Sequence, residues 1–290
     1  MALRIEPADA TLGAVITGVR LAALSDVEWN EIEAAFHERA VLVFPAQHLS
    51  RSEQTAFGLR FGALDSLVAK TGTVPISNLH PDGAIRRADD PVLGILRGNE
   101  GWHTDSSYMP LAAKASILSA EIPATTGGET EWADMRAAYD ALPADTQRQI
   151  SGLAARHSLA YSQAKIGEKS SSSALAYGFE GHEPPLRPLV KRHPVTGRRS
   201  LFIGRHAYGI PGLGERESEQ LLAELLSFAC RPPRVWNHRW QAGDVVIWDN
   251  RCVLHRARPF DPAQPRVMHH TRIAGDPATE SGVEPAASSA

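Results

Sequence analysis

Residues 243–255 read GDVVIWDNRCVLH. Gly243 and Asp244 mark a turn, residues 245–248 are an unbroken apolar run, and His255 follows shortly after. A short run rich in β-branched and aromatic residues, bounded by turn residues, predicts a buried strand. A histidine planted just beyond it would sit on rigid sheet rather than on a free loop. Working outward, comparable short runs punctuated by turn residues lie at 74–79, 116–122, 130–132, 189–193, 200–204 and 267–273. Their spacing predicts a mainly β chain built as an antiparallel sandwich or barrel. Between two of these runs, residues 193–198 (HPVTGR) predict a hairpin, with Gly197 free to take positive φ.

Helical spacing is confined to a few segments. Ser25 and Ser50 read as caps of helices running to Arg39 and Phe61, and residues 134–142 and 215–230 repeat the pattern. In the last of these, Leu221, Leu222, Leu225 and Phe228 share one face, as expected of helices that flank a sheet. Residues 163–188 hold a serine run, several prolines and few apolar anchors, which predicts a lid insertion. The stretch 276–290 has the composition of a disordered tail. One catalytic domain over 1–275 is the expected organisation for 290 residues without repeats.

Composition narrows the partners. The formal net charge is −3, so no positive field exists to draw in nucleic acid. Two cysteines, Cys230 and Cys252, supply neither a disulfide framework nor a thiolate metal site, and both read as buried thiols. The amino terminus lacks the basic flank and apolar run of a signal peptide, and no segment has the apolar length of a membrane span. A cytoplasmic protein acting on a small molecule is expected, with self-association to a homo-oligomer left open.

The chemistry centres on Trp102-His103-Thr104-Asp105. In extended backbone, residues two apart point to the same face, so an imidazole and a carboxylate converge here. His255 is the natural third donor. Two histidines and one carboxylate form a facial triad that favours Fe(II) and leaves coordination positions open. Eleven residues beyond His255, Arg266 can grip a carboxylate with two parallel hydrogen bonds if it faces inward; otherwise it is a surface arginine. Thr130, in Gly127-Gly128-Glu129-Thr130, can add a hydroxyl to the same carboxylate or serve simply as a strand residue.

Several motifs in order carry a resemblance: Leu12-Gly13-Ala14 with Gly18-Val19, Trp102-His103-Thr104-Asp105, Gly127-Gly128-Glu129-Thr130, Trp248-Asp249-Asn250-Arg251, and His255 with Arg266. Over residues 12–275 the chain resembles the taurine dioxygenase and 2,4-dichlorophenoxyacetate dioxygenase family. The resemblance implies a double-stranded β-helix, or jelly roll, with flanking helices. It implies Fe(II) held by His103, Asp105 and His255, and 2-oxoglutarate as cosubstrate, its distal carboxylate on Thr130 and Arg266. It also implies that O2 is consumed, that succinate and CO2 are released, and that a substrate carbon is hydroxylated.

Residues 133–142, 155–159, 186–191 and 203–207 look like the (S)-phenoxypropionate branch, the aryloxyalkanoate dioxygenases. On such a substrate the hydroxylated carbon is a hemiketal, which collapses to a phenol and an oxo acid. A sulfonate or another small organic anion is the alternative within the family. The chain departs from the taurine branch at position 270, where that branch has an arginine holding the substrate anion and this chain has His270. Arg205 and His206, together with His270, are therefore the expected carboxylate anchors, with Arg272 in reserve. Asn99 stands at the offset where the family has a substrate-facing asparagine. Two readings of other classes are a zinc hydrolase on the same donor set and a binding sandwich without chemistry.

Overall fold

The computed structural model describes residues 2–66, 68–167 and 183–283. The chain begins with strands β1 (Arg4–Pro7) and β2 (Ala14–Thr17), helix α1 (Asp26–Arg39), β3 (Val41–Phe44), α2 (Arg51–Phe61), β4 (Val74–Ser77) and α3 (Pro91–Gly98). It continues through β5 (Ala113–Ile122), β6 (Thr130–Asp134), α4 (Met135–Asp140), α5 (Ala144–Ile150), β7 (Ala154–His157) and α6 (Leu159–Lys165). Then come β8 (Leu186–Pro188), β9 (Val190–Arg192), β10 (Arg199–Leu201), β11 (Ala207–Tyr208), α7 (Glu215–Ala229) and β12 (Val235–His238). The last elements are β13 (Val245–Asp249), β14 (Val253–Ala257), β15 (Val267–Ala274) and α8 (Pro277–Glu280).

The expected β architecture is what forms. A seven-stranded sheet runs β1-β2-β3-β13-β5-β15-β4, and a three-stranded sheet, β12-β6-β14, accompanies it. Leu118, Val246, Trp248 and Met268 of the larger sheet meet Trp132 and Val253 of the smaller one in a single buried cluster. Burying two apolar faces against each other is the driving force for this jelly roll. α1 and α2 cover the larger sheet's outer face, where Phe36, Phe57 and Phe61 pack with Ile117, Ile247 and Ile273. Both helices start with a capping box, on Ser25 with Glu28 and Ser50 with Glu53, as their sequences lead one to expect. The hairpin at 193–198 joins β9 to β10, with Gly197 at φ 69°.

Two expectations need adjustment, and a third falls largely outside the described residues. Most of the lid insertion, residues 168–182, lies outside the described residues; its flanks are α6 and β8. The tail is ordered further than its composition suggests: Asp276 caps α8, and Glu280, 1% exposed, forms an ion pair with Lys191 while its carbonyl accepts from Arg187. A buried charge pair anchors a polar segment that carries no apolar signal of its own. Cys252 is buried as expected, but Cys230 is only half-buried. Among the described residues no helix is long and apolar enough to cross a membrane.

Candidate active site

The site is built on one rung of backbone pairing. His103 lies opposite His255 in an isolated antiparallel bridge on the edge of β14 away from β6. Asp105 follows at the point where the chain turns away, with Ser106 in the left-handed region at φ 55°. The three side chains are buried, and one donor atom from each lies within 4.8 Å of the others. Two of the expected ligands are thus sequence neighbours, and the third arrives through the sheet.

The protonation states suit a cation. Nδ1 of His103 donates to the Gly101 carbonyl over 2.8 Å, so its proton is committed there and Nε2 keeps a free lone pair. Burial pushes the His103 pKa down to about 4. Burial, and then the neighbouring His103, hold His255 well below the usual histidine range. For Asp105, burial acts upward, but Arg272, His255 and His270 outweigh it and keep the carboxyl well below its usual range. Two neutral imidazoles and one carboxylate are the state in which these groups ligate a metal. Nδ1 of His255 has no hydrogen-bond partner among the described residues.

A second cluster, His37, His193 and Asp249, also brings donors together. Its carboxylate is already occupied: Arg251 binds Asp249 through Nε at 2.8 Å and Nη2 at 2.6 Å, and His193 Nε2 donates at 2.9 Å. His193 Nδ1 accepts from the backbone N–H groups of Val195 and Thr196. With a guanidinium on the carboxylate and both nitrogens of His193 engaged, this cluster is a structural clamp.

A cavity of 310 Å³ opens beside the triad. Its wall includes all the residues singled out from the sequence: Thr130 and Arg266, expected to meet the cosubstrate, and Asn99, Arg205, His206 and His270, expected to meet the substrate, with Arg272 as well. Arg266 faces inward. It is 5% exposed, its Nε has no partner among the described residues, and its one side-chain bond, Nη2 to the Gly128 carbonyl, is long at 3.4 Å. Burial lowers its pKa to about 10, so the guanidinium stays charged. A buried, under-satisfied cation of this kind fits an incoming carboxylate. Thr130 Oγ1 accepts from Trp240 Nε1 at 3.0 Å, which leaves its own proton free to donate into the cavity.

The residues expected on the substrate side are more heavily engaged than their sequence context suggests. Arg205 donates through Nη1 to Gly98 O, and through Nη2 to Ser162 O at 3.0 Å and Gln163 Oε1 at 2.5 Å. It thereby ties the end of α3 to α6 and keeps only Nε–H and one Nη1–H for a ligand. Ser162 Oγ donates to the Leu159 carbonyl, so it accepts from Nδ1–H of His206, and His206 Nε2 carries the lone pair. His270 stacks on Trp248 and sets Nε2 3.4 Å from Asp105 Oδ2, close to the metal position. Leu93 and Leu96 of α3 and Leu159 of α6 give the cavity apolar walls. These two helices escaped the sequence reading, as did Ser116, whose hydroxyl reaches Asp105 at 2.6 Å. Its strand carries Lys114, Ser119 and Glu121 as well, so a serine at 116 does not stand out in the sequence.

Comparison with known proteins agrees with this geometry. Residues 4–273 match the model of the family described as "Taurine catabolism dioxygenase TauD, TfdA family". The chain is 53% identical to the (S)-phenoxypropionate/alpha-ketoglutarate-dioxygenase of Sphingobium herbicidovorans, over 97% of this chain and 98% of that one. It is 41% identical to the alpha-ketoglutarate-dependent 2,4-dichlorophenoxyacetate dioxygenase of Cupriavidus pinatubonensis, over 88% and 91%. Among solved structures, AAD-2 in complex with Mn(II) and N-oxalylglycine superposes with a TM-score of 0.89 at 38% identity, covering 98% of this chain and all of that one. A facial triad and an inward arginine on a jelly roll, matched along nearly the whole length, mean that the chain belongs to the TauD, TfdA family of dioxygenases.

Proposed function

We propose that this chain is an Fe(II)- and 2-oxoglutarate-dependent dioxygenase that hydroxylates a small carboxylate, an (S)-2-aryloxypropionate or related aryloxyalkanoate, at the carbon bearing the ether oxygen. The observation that carries the reading is a buried His103, Asp105, His255 set sharing one cavity with Arg266, whose charge has no carboxylate partner among the described residues. The donor set fits Fe(II) rather than a thiolate-preferring metal. Bound there with 2-oxoglutarate, the metal supplies the oxidising chemistry that turns O2 and 2-oxoglutarate into succinate, CO2 and a hydroxyl on the substrate. The protein's part is to place the reactants and keep water out.

Arg266 and Thr130 hold the distal carboxylate of 2-oxoglutarate. The aryl ring lies among Leu93, Leu96 and Leu159, and the substrate carboxylate takes the remaining N–H groups of Arg205, with His270 and Asn99 around it. His206, expected as a further anchor, lines the cavity but has its proton on Ser162 and none to offer a carboxylate. The hydroxylated carbon is a hemiketal, so loss of its O–H proton and departure of the aryloxide give a phenol and an oxo acid. Two free thiols and the lack of a spanning helix among the described residues support a cytoplasmic site of action on a free small molecule.

The test begins anaerobically. Adding Fe(II) and 2-oxoglutarate to the purified protein should produce a weak visible charge-transfer band. Admitting O2 with an (S)-2-aryloxypropionate should then release phenol and succinate in equal amounts. Phenol release that persists without O2 would point to a hydrolase. Succinate formed with a sulfonate, but not with any aryloxyalkanoate, would move the substrate class. For the anchor, Arg205→Ala and His270→Ala should each narrow the preference for the acid over its uncharged amide, whereas His206→Ala, which removes a lone pair rather than a donor, should not.

A further inference from the structure

The metal carboxylate is gripped by a directed hydrogen-bond relay that the expected ligand set does not include. Asn250 Oδ1 receives two obligate donors, Trp248 Nε1–H at 3.0 Å and Asp105 N–H at 3.3 Å. Two N–H groups on one side fix which end of the amide is oxygen. The amide nitrogen must then face Ser116, and Nδ2 donates to Ser116 Oγ at 2.9 Å. An amide NH2 cannot accept, so the single proton of Ser116 is free for Asp105, and Oγ lies 2.6 Å from Asp105 Oδ2. That distance is in the range of a charge-assisted O–H to carboxylate bond. Every member of the relay is 5% exposed or less.

The sheet sets the relay in place. Ser116 on β5 lies opposite Trp248 on β13 and, on its other side, opposite Arg272 on β15. The guanidinium of Arg272 stands 3.5 Å from Asp105 Oδ1, so each carboxylate oxygen has its own donor in reach. Rotation of the carboxylate about its Cβ–Cγ bond would break contacts on both sides at once. Asn250 joins this rung to the segment bearing His103, because the Thr104 hydroxyl donates its proton to the Asn250 carbonyl at 2.8 Å.

We propose that Ser116 and Asn250 are positioning residues for the metal site: Asn250 orients the Ser116 hydroxyl, and Ser116 holds Asp105 in the orientation that ligates. The proposal rests on the metal-site reading above. Its consequence is energetic coupling, because part of the contribution of Asn250 to metal affinity passes through the Ser116 proton.

Mn(II) binding to the metal-free full-length protein tests this, with free Mn(II) followed by electron paramagnetic resonance. Ser116→Ala should weaken Mn(II) by about ten- to a hundredfold, the usual effect of losing a partner of a ligand. Asn250→Ala should also weaken Mn(II), and by a smaller factor once Ser116 is already alanine, as expected for residues that act partly in series. Thermal unfolding of each metal-free variant shows whether a general loss of structure accounts for the change. Ser116→Ala binding Mn(II) within twofold of the parent would overturn the proposal, and so would additive losses in the double variant. A parent protein that binds no Mn(II) would instead count against the metal site itself.

Discussion

His103 and His255 exchange both backbone hydrogen bonds: His103 N donates to His255 O over 3.0 Å, and His255 N to His103 O over 2.7 Å. Residues paired in this way project their side chains to the same face, and the two ring centroids are 4.2 Å apart. The rung belongs to the backbone, so it survives truncation of either side chain. His103→Ala, Asp105→Ala and His255→Ala should therefore fold, while metal affinity falls by more than about a hundredfold, beyond the loss typical of an outer partner. Metal titration beside circular dichroism separates the two effects. A variant that keeps parental affinity would remove its residue from the ligand set.

Arg266 leads to a second expectation. Its guanidinium is buried with one long bond to Gly128, so it has little to lose in the protein and a charge to offer a ligand. Replacing it with methionine should weaken 2-oxoglutarate by about 1.5 to 3 kcal/mol, roughly ten- to over a hundredfold, while metal affinity hardly changes. Anaerobic titration of the charge-transfer band measures this directly. Half-saturation within about twofold of the parent would place the cosubstrate anchor elsewhere.

How far the site could be read from sequence depended on the range of the interactions. His103 and Asp105 are two apart and needed only the strand period, and His255 followed from a turn and an apolar run. Arg205 is different. Its partners Gly98 and Ser162 are 107 and 43 residues away, and nothing in the local sequence marks a guanidinium already tied to carbonyls. Helix α3 was hidden for a local reason: Pro91, Gly94 and Gly98 in eight residues suppress a helical signal. In the fold Pro91 occupies the first turn, Asp90 caps it, and packing supplies what propensity lacks. The relay through Ser116 and Asn250 combines both difficulties, being long-range and made of residues with no distinctive spacing.

The third prediction concerns acid. His157 is 1% exposed, stacks on Phe202 at 5.5 Å, and neither ring nitrogen has a partner among the described residues. Burial, followed by the charges of Arg187 and Lys191, lowers its pKa to about 3. The folded state thus resists a proton that the unfolded chain accepts near pH 6.5. Its contribution to stability is complete above about pH 6.5 and is lost as pH falls from there toward about 3, at up to about 1.4 kcal/mol per pH unit. His157→Phe keeps a ring against Phe202 and removes the titration. Unfolding free energies at pH 7 and pH 5 should diverge between parent and variant, the parent falling more steeply. Parallel slopes would show that His157 is protonated without cost.

The last prediction uses Gly98 to ask what Arg205 does. Gly98 ends α3, and a Cβ built there would lie 2.6 Å from both Arg205 Nη1 and Gln163 Oε1. Those atoms are the far ends of flexible side chains, so the fold can yield by swinging them aside. The helix itself gains up to about 1 kcal/mol from exchanging glycine for alanine. Gly98→Ala should therefore unfold close to the parental temperature, while the guanidinium leaves the position set by the Gly98 carbonyl. If Arg205 both braces α3 against α6 and presents its remaining N–H groups to the substrate carboxylate, half-saturation for an aryloxyalkanoate should rise about tenfold, the scale of one charged hydrogen bond. Half-saturation for 2-oxoglutarate, held at Arg266, should stay within about twofold. A rise confined to 2-oxoglutarate would reverse the assignment of the two arginines, and no change in either would leave Arg205 as a strut alone.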